Sequence, residues 1–253
     1  MEVTFNMKKS FFYALGIIWL IGASISPLEV KAQDCLQPLG LAKNTEFVFK
    51  VTDKGRPQGT LSNKVVQQMT DKKGAYVTTF KSARLGKTNR TQTSDEYRIK
   101  CSGDTIYLDA MLLLREQVLK SFEGKDFDYF PVDIAYPQQM QVGQKLPDGK
   151  LGVRVRSANV NITQLSMVAT NRKVEAMEKI TTPAGTFDTY KISYQYVVYI
   201  DAMGLPLRDV FNVEEYFSLE HGLIKCQFST KRGKKAKGLE LISKRNPAQA
   251  LQK

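Results

Sequence analysis

Histidine is almost missing from this chain: His221 is the only one in 253 residues, beside one tryptophan and three cysteines. A zinc centre needs a set of nitrogen or sulfur ligands that such a composition does not supply. No His-Glu-x-x-His, Gly-x-Ser-x-Gly or phosphate-cradling glycine loop occurs, which removes the commonest hydrolase and nucleotide signatures. His221 lies in Glu220-His221-Gly222 and reads as a turn group rather than a general base. Cys35, Cys101 and Cys226 show no Cys-x-x-Cys spacing, so neither a thioredoxin-like nor a zinc-ribbon role is supported. No Gly/Ser/Pro-rich linker and no internal repeat divides the chain, so one β-rich domain is expected over residues 33–253. No apolar run reaches the roughly 20 residues of a spanning helix.

The longest apolar run is Phe11 to Ile25, preceded by Lys8 and Lys9 and followed by the small-residue stretch Val30-Lys31-Ala32. That charged, apolar, small-residue order is the layout of a secretory signal over residues 1–32, with Met7 the better-placed start than Met1. An exported product is expected, in the periplasm or at the periphery of the outer membrane. Cys35 follows Ala32-Gln33-Asp34 rather than a lipoprotein-type sequence, so no lipid anchor is expected. In an oxidising compartment the three cysteines read either as one disulfide and a spare thiol or as three buried free thiols. Three pairings are open, and Cys35–Cys101 is preferred because it would tie down the mature N-terminus.

The formal charge is +12. Residues 231–253 hold eight basic groups against Glu240 alone, so the remainder is close to balanced. Within them Lys231, Arg232, Lys234, Lys235 and Lys237 form a cluster between two strand-like runs. It reads as a solvated hairpin tip, or as a patch for anionic lipid head groups. Nucleic acid is not an expected partner, because no stacking aromatics interleave with these lysines.

What the chain has in quantity is period-two alternation. Phe47, Phe49 and Val51 alternate with Glu46, Val48 and Lys50, and Asp53-Lys54-Gly55-Arg56-Pro57 supplies a turn. Further strands follow at 60–69, 75–85 and 91–101, broken by polar turns. In the second half strands are expected near 163–170, 172–180, 190–200, 209–219, 223–230 and 239–243. Such an order predicts an all-β, mainly antiparallel meander rather than βαβ units. Asp109 to Phe122 alone breaks the rhythm: Met111, Leu114 and Val118 fall at helical spacing, and one helix is expected there. Ile192, Tyr194, Tyr196, Val198 and Ile200 line one face of a strand whose other face is also partly apolar. A strand of that kind is covered on both sides or lines a cavity. The paired carboxylates Glu214-Glu215 and Asp126/Asp128 read as solvated strand-end charges.

The segment Lys179-Ile180-Thr181-Thr182-Pro183-Ala184-Gly185-Thr186-Phe187-Asp188-Thr189-Tyr190-Lys191-Ile192 resembles the TapB-like family, a relative of the domain-of-unknown-function group numbered 3108. Matching pieces fall in family order: Tyr107-Leu108-Asp109, Tyr136-Pro137, Val142-Gly143, Leu146-Pro147-Asp148, Asn171-Arg172-Lys173-Val174 and Gly222-Leu223-Ile224-Lys225. The likeness spans about residues 44–245. It implies a single, highly curved antiparallel sheet or partly open barrel, and it carries over no catalytic residues. Pro183 and Gly185 suit a turn that joins Ile180 and Phe187 in a hairpin. A non-enzymatic envelope protein without a cofactor is therefore expected. It would bind an apolar or lipid-like ligand in its curved sheet or, alternatively, act as a scaffold that docks a protein partner.

Overall fold

The chain separates into two compact units, Met1–Lys31 and Ala32–Lys253. In this computed structural model, residue 39 and residues 41–246 are described, except 89, 115–121 and 203–204 and the side chains of 92, 93 and 202. The expected signal segment, Cys35 and the last seven residues of the basic tail lie outside the described residues.

Thirteen strands build one antiparallel sheet. They are β1 (Glu46–Asp53), β2 (Arg56–Thr70), β3 (Tyr76–Leu85), β4 (Thr91–Ser102), β5 (Thr105–Leu108), β6 (Asp126–Val132), β7 (Ile134–Pro137), β8 (Gly149–Ser157), β9 (Val160–Thr182), β10 (Gly185–Ala202), β11 (Leu205–Ser218), β12 (Gly222–Thr230) and β13 (Lys235–Arg245). The spatial order is β6-β8-β9-β10-β11-β12-β13-β1-β2-β3-β4-β5-β7. Its two edge strands are separated in the chain by Asp133 alone. The sheet must therefore curl until its edges meet, and it forms a nearly closed barrel. β6 pairs with β8 and β7 pairs with β5, so this stretch changes partners at Asp133 and runs along the seam. The expected all-β, highly curved sheet is what the chain forms.

Alternation explains the barrel wall. In β8, Leu151, Val153 and Val155 are buried while the residues between them are not. In β1, Phe47, Phe49 and Val51 point inward as read from the sequence. Ile180 pairs with Phe187 across the Thr182–Gly185 turn, so that hairpin also forms as expected.

Two expectations need correction. The strands read at 163–170 and 172–180 are one strand, β9, with a register break opposite Ser193–Gln195. Asn171 sits there at φ 56. Before it the buried residues are Thr163, Leu165, Met167 and Ala169, and after it they are Arg172, Val174 and, at the strand's end, Thr182. The extra residue of a bulge has flipped the phase of the strand and turned Arg172 inward. The second correction concerns the helix read from Asp109 to Phe122. A single 3-10 turn, Ala110–Leu113, forms, and Leu114 is extended at ψ 129. The Asp109 carboxylate accepts from the Met111 amide and starts the turn. The Tyr196 hydroxyl donates to the Leu113 carbonyl at 2.5 Å, taking an acceptor that a continuing helix would use. The rest of that expected helix, 115–121, lies outside the described residues.

Candidate functional site

Inside the barrel lies a cavity of about 820 Å³. Phe47, Phe49 and Val51 of β1, Phe80 of β3 and Tyr97 and Ile99 of β4 form one wall. Phe80 and Tyr97 stack at 5.4 Å. Leu112, Leu113 and Leu114 close over it from the 3-10 turn, and Leu39 and Leu41 line it from the N-terminal leg. The volume falls within the roughly 300–1,000 Å³ of small-molecule sites, and the lining is mostly apolar with a few polar groups, the usual composition of such sites.

The five residues read as cavity lining divide. Tyr194 and Tyr196 border the cavity. Ile192, Val198 and Ile200 face the same interior but pack into the hydrophobic core beside it. The five residues read as a basic patch divide too. Lys231, Arg232, Lys234 and Lys235 are exposed at the β12–β13 turn, while Lys237 is half-buried and lines the cavity. Cys101 is disulfide-bonded and Cys226 is a buried free thiol. Burial, with Glu215 nearby, pushes the Cys226 thiol well up, so it is no ready thiolate.

The polar heart of the site was not read from the sequence. Glu215, which the sequence pairs with Glu214 as solvated strand-end charge, is instead buried on the inner face of β11, and Glu214 faces out to Lys191. The alternation Val213-Glu215-Phe217 carried that signal, because both apolar neighbours in phase are buried. Tyr136 donates to Glu215 Oε1 at 2.6 Å and Tyr194 donates to Oε2 at 3.1 Å. Tyr136 is sandwiched between Phe217, 4.0 Å away ring to ring, and the Arg172 guanidinium, 4.6 Å from its centroid. Arg172 Nη1 donates to the carbonyls of Ala135 and Pro147, both at 2.8 Å. Arg172 thereby ties edge strand β7 to the segment leading into β8, on the two sides of the seam. Tyr136 and Arg172 both sit in the short pieces that carried the family likeness.

Burial raises the Glu215 pKa above the ordinary carboxylate value, and Arg172 and the two tyrosines offset this only in part. The neutral form is the one the fold favours. Its contribution to stability is present below the ordinary value of 4.5 and is lost as pH rises through the raised folded value. Glu215→Gln, which keeps an acceptor for a tyrosine, is expected to flatten that arm of the stability–pH profile in urea titrations. An unchanged slope in the variant would contradict the assignment.

His221 also lines the cavity. Its Nδ1 lies 2.8 Å from Lys244 Nζ, and its ring meets Phe187 edge-on at 5.1 Å. Burial, then Lys244, lowers its pKa, so it is neutral and an acceptor for the lysine. These contacts tether the turn between β11 and β12. Among the described residues no cluster of three or more metal-ligating side chains exists.

A single antiparallel sheet wrapped about an apolar cavity, closed at its seam by a buried arginine, defines a small β-barrel class. The chain belongs to the DUF3108-like family, whose model matches residues 44–241. Among solved structures, one of a "putative lipoprotein" from Parabacteroides distasonis is similar at 18% identity and a TM-score of 0.65, over 81% of this chain and 96% of that one. A "putative exported protein with YmcC-like fold" from Bacteroides fragilis is similar at 14% identity and a TM-score of 0.60, over 81% and 97%. At those identities the likeness is one of fold. No curated protein matches the chain. No helix among the described residues is long and apolar enough to cross a membrane.

Proposed function

We propose that this barrel is an exported, non-catalytic carrier of the cell envelope that encloses an apolar, lipid-like ligand. The observation that carries the reading is the cavity of about 820 Å³ walled by β1, β3 and β4 aromatics and aliphatics. A scaffold that only docks proteins would fill that interior with side chains, so the cavity favours the carrier over the scaffold. Each methylene moved from water into such a lining contributes about 0.8 kcal/mol. Displacement of a neutral environment-sensitive dye by straight-chain alcohols is therefore expected to strengthen about three- to fourfold per added methylene until the cavity is full. Leu239→Trp, which adds bulk at a half-buried lining position, should weaken the series while the protein stays folded. An absence of any chain-length dependence would sink the carrier reading.

The disulfide on Cys101 and the free thiol of Cys226 support the Cys35–Cys101 pairing, and a lipid on Cys35 would need that same sulfur. Export without a lipid anchor is consistent with this. Docking to an anionic membrane surface is the second part of the reading. Antiparallel order sends the β12–β13 and β10–β11 turns to the same end of the sheet. That end carries exposed Lys231, Arg232, Lys234 and Lys235 together with Leu205 and Leu207, 71% and 60% exposed. Near an anionic surface each such cation contributes about 1 kcal/mol. Changing the four cations to Gln is expected to abolish low-salt co-sedimentation with phosphatidylglycerol vesicles. Unchanged sedimentation would remove the membrane from the account.

A further inference from the structure

We propose that the cavity's ligand is an anionic amphiphile and that Arg84 is the site for its acid group. The inference rests on the carrier reading and names the class of molecule carried. Three charged side chains line the cavity in addition to His221: Glu215, Lys237 and Arg84. Glu215 is held by two tyrosine hydroxyls and has both oxygens committed. It marks one region of the interior as already taken by the protein's own acid group. Arg84 is different. It lies on β3 directly opposite Leu61 of β2, so its side chain shares the inner face with Leu61 and, one step diagonally, with Asn63. Arg84 Nε and Asn63 Oδ1 are both buried and without a hydrogen-bond partner. Among the described residues no carboxylate pairs with Arg84 within 4.0 Å, although Asp95 lies diagonally across from it on β4 and Asp53 lies opposite Lys237 on β1.

Arg84 lines the apolar cavity with no carboxylate partner, so an acid group bound beside it would supply the acceptor its guanidinium lacks. The planar fork of arginine suits a carboxylate or a phosphate, each offering two oxygens. Asn63, on the same inner face, offers its amide Nδ2 as a second donor to the same acid. A tail starting at Arg84 meets Leu61, Phe49 and Phe80 first, so head and tail match the polarity of what surrounds them. The acid has no need to approach Glu215.

The test uses the protein purified after export, delipidated, with dodecanoic acid, dodecyl phosphate and dodecanol as chain-matched probes in dye displacement at pH 8. The acid and the phosphate are expected to bind about tenfold or more tightly than the alcohol, the worth of a hydrogen bond to a charged group. Arg84→Gln should bring both anions down to the alcohol's affinity and leave the alcohol unchanged, whereas Arg84→Lys should keep part of the preference. A preference for only one of the two anions would identify the source as a fatty acid or a phosphorylated lipid. Equal binding of all three by the unmodified protein would overturn the head-group site and leave the carrier reading intact. Binding of none would overturn both. A preference that survives Arg84→Gln in a folded variant would also overturn the assignment to Arg84.

Discussion

Arg172→Ala is expected to lower the free energy of unfolding by about 3–5 kcal/mol, the range for breaking a buried charge arrangement by removing one partner. Three losses add up at this position. The carbonyls of Ala135 and Pro147 lose their donor, the Tyr136 ring loses the cation on its face, and buried Glu215 loses the positive charge that partly offsets its desolvation. Arg172 is 1% exposed, so water does not replace its guanidinium in place. Arg172→Met keeps most of the volume and should cost less than alanine while still leaving two carbonyls unpaired. Urea midpoints at pH 7 measure both. Because Arg172 lowers the Glu215 pKa, its removal should also steepen the fall in stability with rising pH. A penalty below about 1 kcal/mol would mean that the seam is not closed by this residue.

Gly59→Ala is expected to be nearly as damaging, at about 4 kcal/mol, from two effects of about 1–3 kcal/mol each. Gly59 sits at φ +117 in β2, where the register with β1 breaks between Val51 and Thr52. A methyl group there would lie 2.0 Å from the Leu85 carbonyl oxygen, which is backbone and cannot swing aside. Gly55, four residues earlier, is the control. It also has positive φ, at +76, but nothing lies within 4 Å of an added methyl. Its alanine variant should cost about 1 kcal/mol. Thermal or urea unfolding of the pair separates backbone clash from simple loss of glycine's freedom. Equal effects at the two positions would contradict the packing described between β2 and β3.

Much of the barrel is legible in the sequence. The alternation of Phe47, Phe49 and Val51, the polar turns at 53–57 and 71–74, and the Ile180–Phe187 hairpin all follow from period two and turn chemistry, which are local properties. Arg172 was not legible, because nothing in Thr170-Asn171-Arg172-Lys173 announces a one-residue bulge. The bulge is set by how β9 registers against β10, a non-local fact, and a single slip exchanges the two faces of everything that follows. Glu215 was closer to reach. Its neighbours Val213 and Phe217 share its phase, but the adjacent Glu214 made the pair look like surface charge. The start of the expected helix, 109–114, departs from the reading for a third reason: helical spacing of Met111 and Leu114 is genuine, but Tyr196, eighty-three residues away, takes the Leu113 carbonyl. Periodicity reads which side chains want burial and says little about what competes for a backbone acceptor.

The cavity itself was anticipated only in outline. Five residues of β10 were read as its wall because that strand is apolar on both faces, and two of them border it. The aromatic wall on β1, β3 and β4 belongs to strands far away in sequence, and only barrel closure at Asp133 brings them opposite β10 and β11.

The most direct test is native mass spectrometry of the exported protein purified gently from the cell that makes it, with and without reductant. A stoichiometric extra mass is expected that leaves on solvent extraction, carries an acid group, and is diminished in Leu239→Trp. Reductant should add the mass of two hydrogen atoms, from one disulfide, and leave the ligand in place. A bare polypeptide mass from gentle purification, in a protein that also binds none of the chain-matched probes, would contradict the carrier account.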